Sequence, residues 1–225
     1  ASIEDVGGGW YRLISTADLT GSSNSQLRVS IPDNIYAGTA HVSGFQQELG
    51  SYATSYIPTN GQTETRLADV CEGGGDESTF NDSEGVFYAE IEEKFLNEGN
   101  FRLISINNAD ADSDANSVAI GFKNTGDFFL RVKSPSGTYT SQTIDANLNE
   151  FYKVAIKYKS GDIAIWVNGV EEDTSTTTFS FTETLDNLSF DYNGNNVLPF
   201  YGNVKTLAYF PEALTDTELQ ELTTI

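Results

Sequence analysis

The 225-residue chain has no methionine, one cysteine, one histidine, and only 12 basic against 33 acidic residues. Each scarcity excludes something. With Cys71 alone, no disulfide within the chain can support the fold, and a lone cysteine is more often a small buried apolar residue than a nucleophile. Cys–His catalysis would need His41, which lies in a different segment. The formal charge of −21 repels phosphate backbones and anionic membranes, which argues against a nucleic-acid partner. No run approaches the roughly 20 apolar residues of a membrane helix, so membrane insertion is not expected. No secretory leader, internal repeat or long low-complexity segment is visible. The start at Ala1, without an initiator methionine, points to a processed chain or an excised fragment.

What is present is apolar and aromatic. Hydrophobic residues make up 38% and aromatics 12%, which is not a disordered composition. Nearly everywhere the period is two. The run "GVFYAEIEEKF" puts Phe87, Ala89, Ile91 and Phe95 on one face and Tyr88, Glu90, Glu92 and Lys94 on the other. "SVAIGF" and "DFFLRV" align Val118, Ile120 and Phe122 with Phe128, Leu130 and Val132 around the turn "KNTG". "FYKVAIKYKSGDIAIWVNG" reads as two strands around "KSGD", and "NLSFDY" and "GNVKTLAYF" complete the set. Short strands at this spacing, separated by Gly, Asn and Asp turns, predict an all-β, antiparallel β-sandwich or jelly roll. Only "LTDTELQEL" reads helical, with Thr215 as cap, Glu218 three residues on, and Leu219 and Leu222 on one face.

The first fifty residues hold three further strand-like runs, "GWYRLISTADL", "SQLRVSIP" and "TAHVSGFQQEL". A sheet of that size needs something to cover its apolar face. The boundary is expected at "TSYIPTNG", where Pro58 and Asn60-Gly61 interrupt the alternation, giving a strand-rich segment over 1–58 and a sandwich over 59–225.

These residues resemble a known joint. "GWYRL" followed by "GFQQELGSYATSYIPTNGQTETRLADV" is similar to a segment of bacteriophage tail and tail-fibre proteins, in which a carbohydrate-binding-like jelly roll ends in Q-x-E-x-G-x-x-x-T-S-Y-I-P-T. The matching positions are Gln46 or Gln47, Glu48, Gly50, Thr54, Ser55, Tyr56, Ile57, Pro58 and Thr59. "YKVAIKYKSGDIAIWVNG" and "FYGNVKTLAYFPEALTDTELQELT" look like the strand pair and the closing strand and helical turn of a concanavalin A-like, laminin-G-type domain. The resemblance implies a concanavalin A-like jelly roll that binds a polysaccharide or surface glycan, extracellular or virion-associated, and a candidate homo-oligomer. A glycine-rich acidic loop, "EGGGDESTF", departs from the pattern.

Catalysis is not expected. Laminarinase-like enzymes on related sandwiches use E-x-D-x-x-E, and in the nearest stretch here, "YAEIEEKF", Glu90 and Glu92 share a face, Lys94 is the next same-face position and the third carboxylate is absent. A retaining pair needs carboxyls roughly 5 Å apart, and Glu90 with Glu92 reads more simply as a solvated strand face. "IKYKSGD" offers Tyr158 and Lys159 of a lyase-like cluster, but no Q-x-H partner exists.

Sugar binding requires less: an aromatic platform and a few polar groups. The candidates are Trp166, out of phase with Ile163, Ile165 and Val167; Tyr88 beside Glu90 and Glu92; Arg131, which alternates with Leu130 and Val132; and Tyr139. Packing within a second layer of the sandwich is the competing expectation for Trp166, since tryptophan is highly buried on average. For metal, "NNADADSDANS" spaces Asp110, Asp112 and Asp114 at every second position, a pattern suited to Ca²⁺. Ala115 and the absence of a closing Glu exclude an EF-hand, and a solvated acidic loop is the alternative.

Overall fold

The computed structural model describes residues 2–17, 41–48, 53–65, 74–94, 101–108, 116–141, 143–192 and 198–225. The chain divides into two compact units, Ala1–Leu67 and Ala68–Ile225.

The first unit contains a hairpin of β1 (Ser2–Gly7) and β2 (Trp10–Ile14). Its turn runs through Gly7, Gly8 and Gly9, all at positive φ, a region where side chains other than glycine are strained. Of the expected runs, the first begins as a strand at Trp10, "SQLRVSIP" lies outside the described residues, and residues 41–48 carry no strand. The seam segment is held by its own polar side chains. Ile57 N donates to Gln46 Oε1 at 2.8 Å, Thr54 N donates to Glu48 Oε1 at 2.6 Å, and Arg12 donates to the Thr54 carbonyl. No described residue of this unit is buried.

The second unit is a sandwich of two five-stranded antiparallel sheets. Its strands are β3 (Glu84–Glu93), β4 (Arg102–Asn107), β5 (Ser117–Phe122), β6 (Phe128–Ser134), β7 (Gly137–Thr140), β8 (Phe151–Lys159), β9 (Ile163–Val167), β10 (Val170–Ser175), β11 (Asn187–Ser189) and β12 (Gly202–Phe210), followed by the helix α1 (Asp216–Thr223). One sheet has the order β10-β9-β8-β3-β12, the other β11-β4-β5-β6-β7. The expected alternation fills the space between them: Phe87, Ala89 and Ile91 meet Val154, Ile156, Ile163 and Ile165 from one sheet and Ile104, Ile120, Phe128 and Leu130 from the other. Phe95 lies outside the described residues. Burying such side chains contributes roughly 1.5–3 kcal/mol each, so this layer dominates the stability of the unit.

Turn chemistry sets the register. Asn168 and Gly169 both adopt positive φ, as a two-residue turn between twisted strands demands. Gly121 has a different reason to be glycine: a Cβ there would stand 1.8 Å from the Arg102 carbonyl. The helix starts at the expected cap, where Glu218 N donates to Thr215 Oγ1 and Thr215 N donates to Glu218 Oε2 at 2.8 Å. Its Leu219, with Leu214 and Leu222, packs on Val86, Tyr88, Ala155, Ala164 and Trp166, the outward-facing side of the first sheet. That packing leaves the outward side of the second sheet without a helix among the described elements.

Candidate functional site

Alternation in the second sheet points Val118, Ile120, Leu130 and Val132 inward. It therefore points Ser105, Asn107, Ser117, Ala119, Arg131, Lys133, Thr138, Thr140, Asn187 and Ser189 outward. Cross-strand pairing lines these up in two rows. Asn187, Asn107, Ser117, Lys133 and Thr138 form one row, and Ser189, Ser105, Ala119, Arg131 and Thr140 the next. Beyond them Leu103, Phe129 and Tyr192 form a small apolar cluster with Phe101 and Leu198.

The amides and hydroxyls at the β11 side are linked. Asn107 Nδ2 donates to Ser105 Oγ at 2.7 Å and to Ser189 Oγ at 3.0 Å, while Asn187 Nδ2 donates to Asn107 Oδ1 at 3.2 Å. Ser105 Oγ lies 2.8 and 2.9 Å from the carbonyls of Asp191 and Tyr192, and Ser189 Oγ donates to Asp191 Oδ1 at 2.7 Å. The loop after β11 therefore covers this end of the face. Across the sheet the cover thins: Ser117 is buried, Lys133 and Arg131 are half-buried, and Thr138 and Thr140 are exposed. The guanidinium of Arg131 lies 4.4 Å from the Tyr192 ring centre and 5.3 Å from that of Phe129, contacts that orient it. Ser117 Oγ is buried with no hydrogen-bond partner, a polar group whose desolvation nothing offsets.

The aromatic candidates lie elsewhere. Trp166 and Tyr88, at 7% and 4% exposure, sit beneath α1 on the first sheet, with no ring face open to solvent. Burial, with Glu90 adding to it, raises the Tyr88 hydroxyl pKa, and Trp166 Nε1 has no acceptor. Tyr88 and Arg131 lie on opposite outer faces of the sandwich, so they line no common groove. Tyr139 points into the core and donates to Asp173 Oδ2 at 2.8 Å; burial first and that bond second raise its pKa. Glu90 and Glu92 share a face, as expected, but each is paired: Glu90 with Lys205 at 2.9 Å, Glu92 with Lys94 and with Asn203 Nδ2. Tyr158 is a core residue donating to the Asn81 carbonyl, whereas Lys159 pairs with Glu84, so the two face opposite ways.

Asp110, Asp112 and Asp114 lie outside the described residues. Among the described residues, no group of three or more His, Cys, Asp or Glu side chains is placed to hold a metal ion. Nor is any described helix long and apolar enough to cross a membrane.

One further titratable group stands out at the end of the sandwich. Glu93 is 2% exposed, follows the inward parity of Phe87, Ala89 and Ile91, and has no partner for either carboxylate oxygen. Burial pushes its pKa up to about 7, partly opposed by Arg102. Arg102, 4% exposed, stacks 4.5 Å from the Tyr201 ring centre.

Comparisons with known proteins agree with this architecture. A model of the laminin-G-type family described as "Concanavalin A-like lectin/glucanases superfamily" matches residues 97–220, more than half of the chain. No curated protein matches. Among solved structures, the chain is similar to the CBM40 module of the Ruminococcus gnavus IT-sialidase bound to α2,3-sialyllactose, with 17% identity and a TM-score of 0.57, covering 70% of this chain and 96% of that one. It is also similar to a leech intramolecular trans-sialidase, with 19% identity and a TM-score of 0.55, covering 70% and 27%. Domain 4 of a GH43 extracellular arabinanase from Geobacillus stearothermophilus, in complex with arabinotriose, has 18% identity and a TM-score of 0.51, covering 67% and 70%. At these identities the likeness is one of fold.

Proposed function

Because this chain belongs to the concanavalin A-like lectin/glucanases superfamily, we propose that it is a non-catalytic carbohydrate-binding module for a polysaccharide or cell-surface glycan. The observation that carries this reading is the helix-free outer face of the β11-β4-β5-β6-β7 sheet. Its less covered side carries the exposed hydroxyls of Thr138 and Thr140 beside half-buried Lys133 and Arg131, polar groups of the kind that hydrogen-bond a sugar's hydroxyls. A sugar would enter over the exposed side of that face, at Thr138, Thr140, Lys133 and Arg131. The modules of similar fold bound to sialyllactose and arabinotriose support the reading at the level of fold. The pairing of Glu90 and Glu92 with lysines supports a non-catalytic role. The resemblance of residues 46–59 to the Q-x-E-x-G-x-x-x-T-S-Y-I-P-T segment of phage tail proteins supports a source in a phage tail or phage-derived secreted protein, extracellular or virion-associated. Affinity per site would be weak and raised by multivalency.

Affinity electrophoresis in polysaccharide gels, with and without added Ca²⁺, tests the reading. Wild type is expected to be retarded, and Thr140→Trp, which fills the exposed side of the face, to run freely at an unchanged melting temperature. Retardation of T140W equal to wild type would move the site off this face.

A second reading, a structural or trimerisation module of a fibre, is favoured by the first unit. Its Ile3, Trp10, Tyr11, Leu13, Val42 and Phe45 are exposed, each by more than half. Sedimentation as a stable trimer, with no retardation by any glycan, would establish it.

A further inference from the structure

We infer that Asn60-Gly61 is a site of spontaneous covalent modification, where the folded chain converts the asparagine amide to aspartyl and isoaspartyl products through a succinimide. The site is separate from the glycan-binding face and does not depend on it.

The chemistry needs a side-chain amide just before an unhindered main-chain N–H, both groups free of hydrogen bonds, and a backbone able to swing them together. Glycine after asparagine meets the first condition, because no Cβ shields its nitrogen. Asn60-Gly61 and Asn168-Gly169 both present this dipeptide, and all four residues adopt positive φ, as the centre of a tight turn requires. Asn193-Gly194 lies outside the described residues.

Surroundings separate the two turns. Asn60 and Gly61 are exposed. Neither the Asn60 side chain nor the Gly61 N–H makes a hydrogen bond. Nothing lies within 4 Å of the place a Gly61 Cβ would occupy, so solvent base reaches the nitrogen. One backbone bond, from Gln62 N to the Thr59 carbonyl at 2.9 Å, closes the turn. Opening it lets Asn60 rotate its Cγ onto the Gly61 nitrogen. At the other turn both reacting groups are engaged. Lys153 N donates to Asn168 Oδ1 at 2.9 Å, and Gly169 N donates to Thr223 Oγ1 at 3.1 Å. That turn joins β9 to β10, and a Cβ on Gly169 would stand 3.0 Å from Thr224 Oγ1. Attack there requires strand and helix contacts to break first.

The atoms balance without an oxidant or reductant. Solvent base takes the Gly61 amide proton, the nitrogen bonds to Asn60 Cγ, and the Cγ–Nδ2 bond breaks as ammonia leaves with a proton from solvent. Water then opens the ring at either carbonyl. The turn gains a carboxylate, and in the isoaspartyl product its main chain is lengthened by a methylene. This change falls just after Pro58, near the end of the first unit.

The test incubates the full chain, folded and in urea, in mildly alkaline buffer. Peptide mass spectrometry follows both dipeptides, and labelling by a protein isoaspartate methyltransferase reads the isoaspartyl product. In urea the two sites should convert at comparable rates. In the folded chain Asn60 should stay within a few-fold of its unfolded rate, whereas Asn168 should slow by at least roughly tenfold, because two hydrogen bonds on its reacting groups must open. Conversion at Asn60 should rise with pH, since the amide proton must be lost. It should vanish in Asn60→Gln, whose longer side chain closes a ring far more slowly and whose exposed position leaves the fold intact. Folding that slows Asn60 as much as Asn168 overturns the inference, as does faster conversion of Asn168 than of Asn60 in the folded chain. Isoaspartyl label at residue 60 in urea but none in the folded chain overturns it too.

Discussion

Glu93 makes the stability of the sandwich depend on pH in an unusual direction. Its carboxylate is 2% exposed, has no hydrogen-bond partner for either oxygen, and has a pKa raised to about 7 by burial. A group whose folded pKa lies above its unfolded value binds its proton more tightly when the protein is folded. Stability from this group is therefore complete below the unfolded value of 4.5 and lost as pH rises through about 7. The shift from 4.5 to about 7 corresponds to roughly 3 kcal/mol, most of it lost between pH 5 and 8. The exposed carboxylates Asp76, Glu84, Glu150 and Glu218 are shifted downward by their hydrogen bonds, so they act only at lower pH and with opposite sign. Urea unfolding across pH 5 to 8, followed by tryptophan fluorescence, reads the effect. Wild type should lose roughly 2.5 kcal/mol over that range, and Glu93→Gln should flatten the profile. An E93Q profile as steep as wild type would refute the assignment, as would a wild type more stable at pH 8 than at pH 5.

Other expectations follow from the same packing. Trp166→Ala should cost about 3–5 kcal/mol in thermal or urea unfolding by opening a cavity under α1, while glycan binding below the melting point stays unchanged. Thr215→Ala removes the side-chain half of the capping box, leaving the residue 215 N–H to Glu218 bond, and should cost about 1 kcal/mol, read in the same assay. Gly121→Ala drives a methyl into the Arg102 carbonyl and should destabilise by more than about 3 kcal/mol, or prevent folding, by circular dichroism.

Much of the sandwich was legible in the chain, because a strand buried on one face alternates. β3, β5, β6, β8, β9 and β12 follow "GVFYAEIEE", "SVAIGF", "FFLRVKS", "FYKVAIKYK", "IAIWV" and "GNVKTLAYF", and α1 follows its capping box. Less legible were β4 and β10. "RLISIN" is buried on both faces, and "VEEDTS" is a polar edge strand with little inward contrast. Alternation also cannot say whether an outward residue meets solvent or another layer. Trp166 and Tyr88 alternate out of the core, yet α1 covers them. A signal was available: a helix with Leu219 and Leu222 on one side must bury that stripe. Val86, Tyr88, Ala155, Ala164 and Trp166 form the one apolar outward face among the described strands long enough to receive it. Tyr139 sits in a strand of four residues, too short for its inward parity to be evident. The polar rows of the second sheet depend on cross-strand register, which brings Asn187 beside Asn107 from 80 residues away.

The central claim is that glycan binds on the outer face of the second sheet. Amide chemical-shift mapping of the full chain during titration with a retarding polysaccharide's oligomer tests it most directly. The account predicts shifts concentrated on β5, β6 and β7, at Ser117, Arg131, Lys133, Thr138 and Thr140. Shifts concentrated on β3, β9 and α1, or on the β1–β2 hairpin, would contradict it.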